Sequence, residues 1–131
     1  MIKSVLYVDQ HLMYFVIDKG DGSTYNKTVN GVDITVIYNS YAAKTLLDKQ
    51  HFDGLGLHLS TDGAYRVAVE FRKKNRRSPI TIYSSTAGFA ETKEDLDKSG
   101  FPYDSLVHVS LDELMSDYEI MLERIVKDFI E

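Results

Sequence analysis

The feature that most constrains this chain is a series of short apolar, β-branched runs set between longer segments of helical periodicity. Ser4 to Val8 (SVLYV) and Val32 to Tyr38 (VDITVIY) read as strands, the first ending at Asp9 and the second at Asn39-Ser40. Tyr41 to Lys49 (YAAKTLLDK) carries apolar residues at helical spacing, with Ser40 as its expected N-cap. Phe52 to Leu59 is a further strand, although Gly54 and Gly56 weaken it as a signal. Asp62-Gly63 opens a helix through Phe71, Pro79 to Tyr83 (PITIY) is the next strand, Glu91 to Lys98 a short polar helix, and Leu106 to Val109 the last strand. Ser110 and Glu113 form a capping-box pattern ahead of a final helix whose apolar stripe runs from Leu111 to Phe129.

The stretch from His11 to Val29 is less regular. His11 to Lys19 can begin a helix that Gly20-Asp21-Gly22-Ser23 breaks, and Thr24 to Val29 is too polar and β-branched to assign. The Gly20 to Ser23 segment lacks the spacing and the Lys-Ser/Thr pair of a phosphate loop, so it reads as a turn.

Strands that alternate with helical segments of this length require right-handed crossovers, which build a parallel sheet covered on both faces. The expected fold class is therefore α/β: a three-layer α/β/α sandwich around a doubly wound, five-stranded parallel sheet. One domain over residues 1–131 accounts for the pattern. With 131 residues, 44% of them hydrophobic, the chain can bury a full core without cross-links, and the absence of Cys removes disulfides and thiol chemistry. No apolar stretch approaches a membrane span, so a cytoplasmic protein is expected. The net charge of -5 is unevenly placed: Asp62 to Arg77 holds six basic and two acidic side chains, and Leu111 to Glu131 holds seven acidic and two basic. The mild overall acidity hides two patches of opposite sign, and no membrane partner is expected.

In this setting Val5-Leu6-Tyr7-Val8-Asp9-Gln10, the Tyr41 to Lys49 helix, the Phe52-Asp53 strand entry, the Asp62-Gly63 helix start and Ile80-Thr81-Ile82-Tyr83-Ser84 together form an order of elements that resembles response-regulator receiver domains, which have a CheY-like, flavodoxin-like fold. The resemblance covers nearly the whole chain and implies sheet order 2-1-3-4-5, a role in signal transduction, and a site at the carboxyl ends of the central strands. It puts Asp9 and Gln10 where receivers have a pair of acids that hold a divalent cation, and His58 where the phospho-accepting Asp stands. Ser84 falls at the switch Ser or Thr. His108 lies near the Lys that contacts the acyl phosphate, with Val109 in place of the usual Pro. Mg²⁺ demands several oxygen ligands in a tight octahedral shell, and one carboxylate beside a neutral amide is a poor substitute. An acyl phosphate cannot form on imidazole. The resemblance thus implies an atypical or pseudo-receiver: a noncatalytic regulatory or protein-interaction domain without ordinary Mg²⁺-dependent aspartyl phosphorylation, with no catalytic residue and no cofactor.

Two other function classes follow from the residues. Asp9, His58 and His108 are expected to converge on one edge, with His11 just beyond Asp9. These side chains suit zinc or another transition metal, and an Asp9–His58 pair suits acid–base work, which would make a small metal-dependent or phosphohistidine-utilising enzyme. No local metal motif, nucleophile or oxyanion arrangement accompanies them, so a degraded pocket with no metal is the preferred reading. The run Arg72-Lys73-Lys74-Asn75-Arg76-Arg77 packs five cations into six residues and suits nucleic-acid phosphates or an acidic protein face. Its plainer explanation is a solvated helix exit, where the dipole favours cations. Phe101 and Tyr103, with Phe89 and the neighbouring Pro102, are the candidates for a contact patch. The expected partner is another protein, a second copy of the chain included, ahead of nucleic acid. Ser84-Ser85-Thr86 is expected to serve turn hydrogen bonds.

Overall fold

The computed structural model describes residues 2–20, 23–85, 89–110 and 118–130. Strand β1 (Ser4–Val8) leads into a single 3₁₀ turn (Gln10–Leu12) and helix α1 (Met13–Lys19). Then follow β2 (Thr24–Val29), β3 (Val32–Ile37), α2 (Ser40–Lys49), β4 (Gly54–His58), α3 (Ala64–Lys74), β5 (Ile80–Ser84), α4 (Phe89–Ser99), β6 (Ser105–His108) and α5 (Tyr118–Ile130). The strands form one sheet in the order β2-β3-β1-β4-β5-β6. All ladders are parallel except β2–β3.

The five-strand expectation is corrected here. The parallel strands do follow the doubly wound order, but the sheet has six strands because Thr24–Val29 pairs antiparallel with β3. The reason is a two-residue hairpin: Val29 faces Val32, and Asn30 and Gly31 between them take φ values of 49° and 81°. Two successive positive φ angles match the twist of the flanking strands, and Asn-Gly is the sequence that adopts them most readily. A second correction concerns α2, where Asn39 rather than Ser40 is the cap: its Oδ1 accepts the Ala42 N–H at 2.7 Å. Helix α3 also runs past Phe71 to Lys74. The Ser110–Glu113 capping pattern, Leu111, Leu114 and the Asp21-Gly22 and Thr86 turn positions lie wholly or partly outside the described residues.

Period-two alternation in the central strands divides the core. Val5 and Tyr7 of β1 face α1 and α5, where they join Val16, Met121, Leu122, Ile125 and Phe129. Leu6 and Val8 face α2, α3 and α4, among Ala43, Leu47, Val67, Phe71 and Leu96. Burial on both faces explains the near-continuous apolar reading of these strands. The result is a three-layer α/β/α sandwich, with the carboxyl ends of β1, β4 and β5 meeting along one rim.

Candidate functional site

Val8 pairs with Leu57 across the β1–β4 ladder, so the next residues, Asp9 just past β1 and His58 as the last residue of β4, lie side by side. Asp9 has no exposed surface. A buried carboxylate is tolerable only when its oxygens are satisfied, and both are. Oδ2 accepts the Tyr7 hydroxyl at 2.9 Å, and Oδ1 accepts the His11 backbone N–H at 3.0 Å. The second bond makes Asp9 the cap of the 3₁₀ turn, and that turn swings the His11 ring back until Nδ1 lies 3.1 Å from the same Oδ1.

His58 is also buried, with 1% of its surface exposed. Its Nδ1 lies 2.7 Å from Ser60 Oγ and 3.3 Å from the Ser60 backbone nitrogen, while Nε2 has no hydrogen-bond partner among the described residues. Burial pushes the His58 imidazole below its ordinary range; the Asp9 charge pulls the other way and His11 adds to the lowering. The His11 and His58 rings meet edge to face with centroids 4.9 Å apart. One ligating atom from each of Asp9, His11 and His58 lies within 4.8 Å of the other two. Ser60 Oγ closes the outer side, 3.4 Å from His11 Nδ1. Burial, and then the nearby Asp9 charge, hold the Tyr7 and Tyr118 phenols well above their usual range, so Tyr7 stays protonated and serves Asp9 as a donor.

The other residues singled out from sequence fall elsewhere. Gln10 ties the rim together instead of joining the cluster: its N–H donates to Thr61 Oγ1 at 3.2 Å and its Oε1 accepts the Asp62 N–H at 2.9 Å. Ser84 is buried at the end of β5, in register with His108 on β6. His108 is exposed, its carbonyl accepts from Arg124 at 3.0 Å, and it stands outside the group formed by Asp9, His11 and His58. The third member is His11. The signal for it was the Asp9-x-His11 spacing, which a single tight turn folds into contact. Ser60 was not foreseen and follows His58 by two residues.

The basic run is largely committed to its own fold. Arg72 bonds the Arg76 and Ser78 carbonyls, each at 3.1 Å, and Asp104 at 2.7 Å; Lys73 faces Glu70 and Lys74 pairs with Asp48. Arg76 and Arg77 are exposed and form no ion pair among the described residues. Phe101 packs edge-on against Tyr65 at 5.6 Å, and the Tyr103 hydroxyl donates to Asp97 at 2.6 Å. Both help line an open hollow of about 680 Å³ between α4 and β6.

With this geometry in view, likeness to solved structures becomes informative. The receiver domain of Francisella response regulator 1452 superposes with a TM-score of 0.56 at 24% identity, covering 94% of this chain and 98% of that one. The beryllofluoride-activated DrrB receiver domain gives 0.56 at 14% identity over 99% and 98% of the two chains. The response regulator DrrB, a Thermotoga maritima OmpR/PhoB homologue, gives 0.59 at 13% identity; 99% of this chain matches 53% of that chain. This chain has the receiver-domain fold. At these identities the likeness speaks for architecture alone. No family model matches the sequence, and no curated protein matches it. Within the receiver fold, the rim that open parallel sheets use for ligands here carries one carboxylate and two imidazoles. No helix among the described residues is long and apolar enough to cross a membrane.

Proposed function

We propose that this chain is a receiver-like regulatory domain that acts through protein contacts and does not undergo Mg²⁺-dependent aspartyl phosphorylation. The observation that carries the reading is the pairing of Asp9 with His58 at the ends of β1 and β4. The resemblance assigns the phospho-acceptor to the position His58 occupies, and an imidazole there cannot yield an acyl phosphate. Asp9 is an equally poor acceptor, because it is buried and both its oxygens already take hydrogen bonds. Gln10 spends its amide oxygen on the Asp62 N–H, which leaves the pocket one acidic ligand where Mg²⁺ requires several oxygens.

The contact surface proposed for this function comprises exposed Arg76 and Arg77 together with the hollow beside Phe101 and Tyr103. Arg72, Lys73 and Lys74 each have a carboxylate partner, so the run offers two cations where tracking a phosphate backbone takes many, and this supports a small acidic protein face over nucleic acid. The test is exposure of the full chain to acetyl phosphate, and separately to beryllofluoride, each with Mg²⁺. Intact mass and ¹H–¹⁵N spectra are expected to stay unchanged. Gain of one phosphoryl group, or a Mg²⁺-dependent shift of resonances at the ends of β1 and β4, would overturn the reading.

A further inference from the structure

We propose that Asp9, His11 and His58 form a binding site for a divalent transition-metal cation of the zinc class. The inference rests on the reading that this pocket is not a Mg²⁺ and phosphoryl site, and it adds the ligand chemistry the replaced residues suit.

The donor set is the first argument. Two imidazoles and one carboxylate are ligands that zinc and its neighbours accept, and that Mg²⁺, which selects oxygen, does not. A three-ligand set of this kind also leaves a coordination position for solvent.

Geometry is the second argument. Ligands around a tetrahedral zinc stand about 2.0–2.1 Å from the ion, which separates neighbouring donors by roughly 3.3 Å. Asp9 Oδ1 and His11 Nδ1 are already 3.1 Å apart, and the His58 donor completes a triangle with no side above 4.8 Å. His11 is the one exposed member, and its side chain keeps 34% of its surface at the rim.

The third argument comes from His58 itself. It is a buried imidazole whose Nε2 has no hydrogen-bond partner among the described residues, a state that natural interiors seldom tolerate. Nδ1 lies 3.3 Å from the Ser60 backbone nitrogen and 2.7 Å from Ser60 Oγ; with the ring proton on Nδ1 it donates to that oxygen, the outer hydrogen bond that orients a metal-binding histidine. The Tyr7 hydroxyl does the same for the Asp9 carboxylate. Each of the two buried ligands is therefore held by its own supporting bond, and the exposed third ligand sits where an ion would enter.

The ligands come from β1, the 3₁₀ turn and β4, so a bound ion ties the first crossover to the centre of the sheet. Occupancy is expected to stabilise the folded chain by an amount that rises with the logarithm of free metal above the dissociation constant. This gives a test with two readouts. Tag-free, chelator-stripped full chain is titrated with Zn²⁺ by calorimetry, and with Co²⁺ by visible absorption, in the presence of millimolar Mg²⁺. One equivalent of Zn²⁺ is expected to bind, with a Co²⁺ ligand-field band and a rise in Tm. His11→Ala is expected to weaken binding on the order of tenfold or more while the chain stays folded, because His11 lies at the surface. His58→Ala and Asp9→Asn are expected to abolish it, and His51→Ala to leave it unchanged. Absence of Zn²⁺ binding, or binding that His11→Ala leaves intact, overturns the proposal. Neither result touches the proposed function, which fails instead on phosphorylation or a Mg²⁺ response.

Discussion

Gly56 in the middle of β4 lies directly against the ring of Tyr7: a Cβ at position 56 would stand 2.9 Å from Tyr7 Cδ1 and 3.3 Å from Tyr83 Cε2. Both rings are fully buried and pack edge to face at 5.5 Å, and the Tyr83 hydroxyl is fastened to Asp128. Neither can step aside. Gly56→Ala is therefore expected to destabilise the fold by about 1–3 kcal/mol through overpacking, read as a lower urea midpoint with an unchanged slope.

Removing the Tyr7 hydroxyl tests the polar end of the same ring. Tyr7→Phe keeps the packing but takes the donor from Asp9 Oδ2, leaving a buried carboxylate oxygen short of a partner. The expected cost is about 1–3 kcal/mol in chemical denaturation. A loss below a few tenths of a kcal/mol would mean that solvent reaches Asp9.

Acid should weaken the chain partly through Asp53. The Lys3 N–H at 2.8 Å, assisted by His51 and the Ser4 N–H, holds its carboxyl below the usual carboxylate range. A carboxyl more acidic in the folded state contributes stability that is complete above its unfolded pKa of about 3.9. That contribution is lost as pH falls through the folded value. Asp53→Asn is expected to lower stability at pH 7 and to flatten the decline below pH of about 4, with the two proteins converging in strong acid. Denaturation midpoints followed across that range provide the check.

The basic run should divide in two. Arg72→Ala removes bonds to two carbonyls and to Asp104, which itself accepts the Ile80 N–H at the start of β5, and is expected to cost about 1–2 kcal/mol. Arg76→Ala and Arg77→Ala are expected to stay within about 0.5 kcal/mol, as exposed substitutions generally do. If the proposed contact surface is right, these two arginines weaken partner binding without weakening the fold.

The parallel core was legible because burial on both faces leaves unmistakable apolar runs in β1, β3 and β5. Strand β2 was not, since Tyr25 and Val29 are only half-buried while Asn26 and Thr28 face solvent, so its sequence carries little hydrophobic pattern. The readable clue was the Asn30-Gly31 pair that closes its hairpin. Gly54 and Gly56 looked like defects in a strand and are instead the room that Phe129, Tyr7 and Tyr83 need. At the rim, Asp9 and His58 were placed together by strand adjacency alone. His108 was assigned by likeness of position, yet β5 and β4 intervene between its strand and β1, and the 3₁₀ turn brings His11 to Asp9 first.

Hairpin formation also decides what the sheet offers to neighbouring molecules. Without β2, the apolar strand VDITVI would end the sheet and present a row of unpaired amides, the template on which chains stack into aggregates. With β2 in place, the boundary instead reads TYNKTV, and its lysine is anchored to Glu119 of α5. The border strand thus carries polar side chains and a charge where the apolar β3 would otherwise stand, a composition that disfavours the addition of a further strand.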